Sequence, residues 1–87
     1  MPEFLLELYI SRETAATARR SAERARRAAG ELTQEGTRVR LLRSIYVPED
    51  ETCLLLYEAE SIVVVREAAR RGGLPFERVV QAVAEVK

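Results

Sequence analysis

An α+β fold with element order β-α-β-β-α-β is predicted by three features of the 87-residue sequence. The chain opens on a period-two apolar run, and it carries two stretches with helix caps. Between those stretches lie two strand-like runs joined by a short polar turn. The order is satisfied by one antiparallel sheet with both helices on one face and the first and third strands side by side in its centre. This is the split βαβ arrangement of ferredoxin-like folds, found in dimeric α+β barrel assemblies.

In Glu3–Ile10, Phe4, Leu6, Leu8 and Ile10 fall on one face and Leu5, Glu7 and Tyr9 on the other, the alternation of a first strand. Ser11 is an N-cap for the Ala- and Arg-rich stretch that follows, with Gly30 as its stop. Ala15, Ala18, Ala22, Ala25 and Ala29 recur at three- and four-residue steps, a narrow stripe that lets a helix lie close to a sheet. Glu31–Thr37, around Gly36, reads as a connection. Arg38–Val47 and Thr52–Ala59 are strands separated by Pro48-Glu49-Asp50-Glu51, where Pro and Asp supply turn chemistry. Ser61 caps a second helix that ends at Gly72-Gly73, with Glu67 and Arg71 at i,i+4 spacing, although the β-branched run Ile62-Val63-Val64-Val65 would also suit a strand. Arg78–Val86 fits a strand presenting Val80, Ala82, Ala84 and Val86, or a helical step through Val79, Val83 and Val86. The element order decides for a final strand. Residues 1–87 thus read as one domain without internal repeats.

Composition removes several functions. Fourteen Lys and Arg balance fourteen Asp and Glu, so the positive excess of a nucleic-acid partner is missing, and the arginines at 19, 20, 24, 26 and 27 read as a solvated helix face. There is no histidine, and Cys53 is the one cysteine, which leaves no His-based acid–base pair, no Cys–His nucleophile and no disulfide within the chain. No complete catalytic set, metal site or cofactor motif is expected. No apolar run approaches the ~20 residues of a membrane span, and the MPEF start lacks signal-peptide character, so neither a membrane nor export is expected and the location is read as cytoplasmic. A chain this short buries only about 60–65% of its unfolded surface and sits near the low end of the ~5–15 kcal/mol stability range.

Strand parity then selects candidate site residues. A turn with an even number of residues pairs Val47 with Thr52, Ile45 with Leu54, Arg43 with Leu56 and Leu41 with Glu58. Leu41, Arg43, Ile45, Leu54, Leu56 and Glu58 therefore share one face; Leu42, Ser44, Tyr46, Cys53, Leu55 and Tyr57 share the other. With Phe4, Leu6, Leu8 and Ile10 under the helices, the open face carries Glu7, Tyr9, Arg43 and Glu58 among leucines and an isoleucine. A mixed apolar face of this kind meets a partner, and a homodimer through facing sheets is expected. Arg43 between two glutamates is either an interfacial ion pair or, with Glu7, Tyr9 and Glu58, a binding site for a small anionic molecule. A cofactor-free isomerase or monooxygenase of the dimeric barrel type, with Glu7 or Glu58 as base and Arg43 as anion clamp, is the alternative. Cys53 falls on the helix side and reads as a small buried hydrophobe.

The stretch from Val39 to Glu51 (VRLLRSIYVPEDE), followed by Cys53, Tyr57-Glu58-Ala59 and Gly73-Leu74-Pro75-Phe76, resembles a small bacterial nickel-binding-protein-like family of unknown function. The resemblance covers nearly the whole chain, including the MPEFLLE start, and its most specific piece is the arginine–serine strand leading into Pro-Glu-Asp-Glu and Cys53. It implies a ferredoxin-like fold, dimer formation by the sheet and, in at least one branch, nickel binding. Nickel favours imidazole and other nitrogen or soft ligands, so a chain without histidine is expected to share the fold and the dimer but not the metal.

Overall fold

The period-two run at the N-terminus forms strand β1, Glu3–Tyr9, at the centre of the sheet in the computed structural model, which describes residues 1–83 and 85. Helix α1 (Ala16–Gln34), strands β2 (Val39–Val47) and β3 (Thr52–Ala59), helix α2 (Ile62–Arg71) and strand β4 (Arg78–Ala82) follow. The strands pair antiparallel in the order β2-β3-β1-β4, which bears out the ferredoxin-like α+β fold with the first and third strands central. The chain is a slab 17 Å through its thinnest axis against 37 and 35 Å along the others, with helices on one side of the sheet only. Strand β4 covers the first part of the expected last strand. Ala84 and Val86 of that expectation lie outside the described residues.

Both helices form, with altered ends. Ser11 does cap, but its Oγ accepts from the Glu13 amide at 3.2 Å to close a single 3-10 turn, Arg12–Thr14, ahead of α1. The helix then runs through Gly30 and stops at Gly36, whose φ of 104° is open to glycine. The Gly36 amide donates to Thr33 O and the Thr37 amide to Leu32 O, at 3.1 and 2.9 Å, which is the Schellman pattern. An interior glycine costs a helix about 1 kcal/mol relative to alanine. Burial of Ala25, Ala28, Ala29 and Leu32 outweighs that cost, so packing overrides the local stop signal at Gly30. In α2, Ser61 Oγ accepts from the Val64 amide, and the β-branched run is helical because Val65, Ala68 and Ala69 are fully buried against the sheet. A second Schellman closure at Gly73 (φ 68°) ends it where expected, with Leu74 packed into the core. Arg71 does not pair with Glu67. It reaches across to Glu35 with two parallel hydrogen bonds of 2.6 and 3.0 Å, clasping the ends of the two helices, while Glu67 takes Arg70 at 2.8 Å. The forked guanidinium meets a planar carboxylate better across the helices than along one of them.

The core lies between sheet and helices and contains Phe4, Leu6 and Leu8 from β1, Cys53, Leu55 and Tyr57 from β3, and Ala25 and Ala29 of the alanine stripe, with Ala18 packed against it and Ala15 exposed ahead of α1. Cys53 is 1% exposed, on the side expected, and burial pushes its thiol pKa up. Leu41, expected on the open face, is instead buried opposite Tyr57. A β-bulge at Leu42 adds one residue to β2, so parity is kept from Val47 back to Arg43 and reversed beyond it. The expected Leu41–Glu58 pair becomes Arg40–Glu58.

Candidate functional site

The pairing register lays the open face out as rows running from β2 through β3 and β1 to β4. One row is Arg40, Glu58, Glu3, Ala82; the next is Arg43, Leu56, Leu5, Val80; then come Ile45, Leu54, Glu7, Arg78 and finally Val47, Thr52, Tyr9. Glu7, Tyr9, Arg43 and Glu58 thus all lie on this face, as strand alternation predicts. They do not converge. Glu58 and Tyr9 sit three double steps apart along the strands, about 20 Å at ~3.4 Å per residue. Arg43 and Glu58 are diagonal neighbours on adjacent strands, within reach of long side chains, whereas Glu7 is two strands away.

Each glutamate has taken another arginine. Arg78 Nε lies 2.8 Å from Glu7 Oε2, its direct register partner, and Arg40 Nη2 lies 3.5 Å from Glu58 Oε1. Among the described residues no carboxylate comes within ion-pair distance of Arg43. The pattern of one arginine between two glutamates is therefore replaced by two arginine–glutamate pairs flanking Arg43, whose register partner is Leu56 and whose same-face neighbour along β2 is Ile45. Arg78 was visible only once β4 had a register, and Arg40 only once the bulge had moved Leu41 inward.

Tyr9 is 57% exposed at the far end of β1, with its hydroxyl 3.5 Å from Glu51 Oε2. Glu51 was missed by periodicity because it sits in the turn, in the left-handed region at φ 49°. Its carboxylate accepts from the Arg12 amide at 3.0 Å and its carbonyl from the Ile10 amide at 3.0 Å. Tyr46 donates its hydroxyl to Ile10 O at 2.7 Å, and burial together with the Glu51 charge lifts its phenol above the ordinary value. This end of the molecule is a fastening between the hairpin turn and the β1–α1 connection.

Comparison with family models matches residues 4–82 to nickel responsive proteins of the SCO4226-like type. The chain belongs to the SCO4226-like family. Comparison with curated proteins finds no match, and neither does comparison with solved structures. The nickel responsiveness in the family's name turns attention to that metal, and the donor chemistry of this SCO4226-like chain does not fit it. It has no imidazole, and its one thiol is buried in the core with its thiolate disfavoured by desolvation. Among the described residues no three Cys, Asp or Glu side chains cluster as a ligand set. Nor is any helix among them long and apolar enough to cross a membrane.

Proposed function

We propose that this SCO4226-like chain is a non-enzymatic homodimeric domain whose open sheet face packs on the same face of a second copy, with Arg43 left to hold a small carboxylate or phosphate at the interface. The charge pattern of the face carries the reading. Glu3, Glu7 and Glu58 are balanced there by Arg40, Arg43 and Arg78, and half-buried leucines and Val80 lie between them. A face carrying both signs in equal number can set each sign against the other across a two-fold axis, as an isologous interface requires. Ile45 at 46% and Tyr9 at 57% exposure add apolar surface that one chain alone leaves in water.

Within this reading Glu7–Arg78 and Glu58–Arg40 fix orientation, and Arg43 supplies two parallel donors in a site surrounded by apolar side chains. Nickel has no part in it. Native mass spectrometry of the purified protein is expected to show the dimer carrying a small anion, and Arg43→Ala to keep the dimer and lose the anion. An Arg43→Ala protein that retains the same bound anion would remove Arg43 from the site, and a monomeric wild type would remove the interface. Titration calorimetry with Ni²⁺ is expected to give no stoichiometric binding, and a tight one-to-one isotherm would contradict the donor argument.

A further inference from the structure

We infer that the cleft between the C-terminal half of α1 and the start of β2, away from the centre of the open face, binds a phosphomonoester with an apolar body. The cleft has a volume of about 650 Å3, within the size range of small-molecule sites and larger than a bare phosphate needs. Arg26, Arg38 and Arg40 line it against a single acid, Glu58, which leaves an excess of two positive charges in a chain whose formal net charge is zero. Among the described residues, Arg26 and Arg38 have no carboxylate within ion-pair distance. The excess matches a phosphomonoester dianion, and guanidinium groups present paired donors suited to phosphate oxygens. Ala29, Val39 and Leu41 supply the apolar part of the wall.

Gly30 carries the argument further. It lies inside α1, where glycine is unfavourable; its φ is not in the left-handed region, and a Cβ built there meets no atom within 4 Å. Neither backbone conformation nor packing within the chain calls for glycine. Gly30 does line the cleft, so a side chain at this position would extend into space that an occupant closely approaching the helix backbone needs. The wall is also fixed in place. Thr33 Oγ1 donates to Val39 O at 2.9 Å and accepts from the Val39 amide at 3.2 Å, which locks the start of β2 to α1 and keeps Arg38 and Arg40 opposite Arg26.

The test is an amide NMR titration of the intact protein with phenyl phosphate, inorganic phosphate and succinate at constant ionic strength. Saturable shifts centred on Gly30, Thr33 and Arg38–Leu41 are expected, with phenyl phosphate binding at least tenfold more tightly than either inorganic phosphate or succinate. Gly30→Leu keeps a good helix former and fills the cleft; it is expected to weaken phenyl phosphate tenfold or more while the spectrum stays folded, and Arg38→Ala to do the same by removing charge. Non-saturating shifts spread over Arg19, Arg20 and the other exposed arginines would overturn the site. So would equal binding of succinate, shifts centred on Arg43 and Leu56, or a Gly30→Leu protein that binds as the wild type does.

Discussion

The two faces of this sheet are made from the same four strands and nearly the same number of leucines, yet they obey different rules. On the helix side Leu6, Leu8, Cys53, Leu55 and Tyr57 are all at most 2% exposed, and the only side-chain oxygen or nitrogen they bring is that of the Tyr57 hydroxyl. On the open side every leucine stands beside an arginine or a glutamate, and each charged group there has either found an opposite charge or, like Arg43, is kept waiting for one. Burial selects the first set one residue at a time. The second set is a surface carrying three arginines and three glutamates among half-buried apolar side chains, the pattern on which the proposed pairing with a second copy rests.

Substitution should separate the faces most sharply. Leu55→Ala removes methylenes from a fully buried position and is expected to cost about 2–5 kcal/mol in urea denaturation, whereas Leu56→Ala, measured at concentrations low enough to hold the chain monomeric, is expected to cost under about 1 kcal/mol. Equal losses would mean that the open face is not functionally different from the core. The covered face also contains its own exception. The Tyr57 hydroxyl is buried without a hydrogen-bond partner among the described residues, and burial drives its pKa far above the ordinary phenol value. Tyr57→Phe relieves an unpaired buried dipole and is expected to raise stability by about 1 kcal/mol; a loss of that size would show that the hydroxyl has a partner, such as a buried water.

Smaller effects sit at the rim, where helices meet solvent. The hydrogen bonds from Arg71 hold the Glu35 carboxyl below its ordinary pKa, with the Arg71 charge adding to them. Because the folded-state value is the lower one, this contribution is complete above the unfolded-state value and fades as pH falls through the folded one. Glu35→Gln should therefore lower stability slightly at neutral pH, leave it nearly unchanged below the folded-state value, and so flatten the acid limb of the stability curve; an unaltered acid limb would show the clasp to be energetically silent. Gly30→Ala is expected to give the smallest shift, a gain of about 0.5–1 kcal/mol, since its Cβ meets nothing within the chain.

How much of this was legible in the sequence depended on whether the signal was local. The strand faces of β1 and β3, the Ser61 cap and the Gly72-Gly73 stop follow from spacing and turn chemistry alone, and they place Cys53 correctly. Gly30 misled because a mid-helix glycine and a terminal one look alike until the buried alanines on either side are seen to hold the helix together. The Leu42 bulge could not be read from alternation, since a one-residue insertion in β2 leaves every nearby pattern intact and shifts only what lies beyond it. That single insertion carried Leu41 into the core and brought Arg40 to Glu58. The partners of Glu7 and of Arg71 were illegible for another reason: both are fixed by contacts between elements far apart in the chain, Arg78 on β4 and Glu35 at the end of α1.

Sedimentation equilibrium of the wild type beside Leu56→Glu tests the open face most directly. Leu56 lies at its centre, half-buried, with Arg43 on one side and Leu5 on the other, so a glutamate there leaves the helix-covered core untouched and places a charge in the middle of the proposed interface. A homodimer through the open face gives twice the chain mass for the wild type and a single, folded chain for Leu56→Glu. A wild type that stays monomeric at all concentrations, or a Leu56→Glu protein as dimeric as its parent, would contradict it.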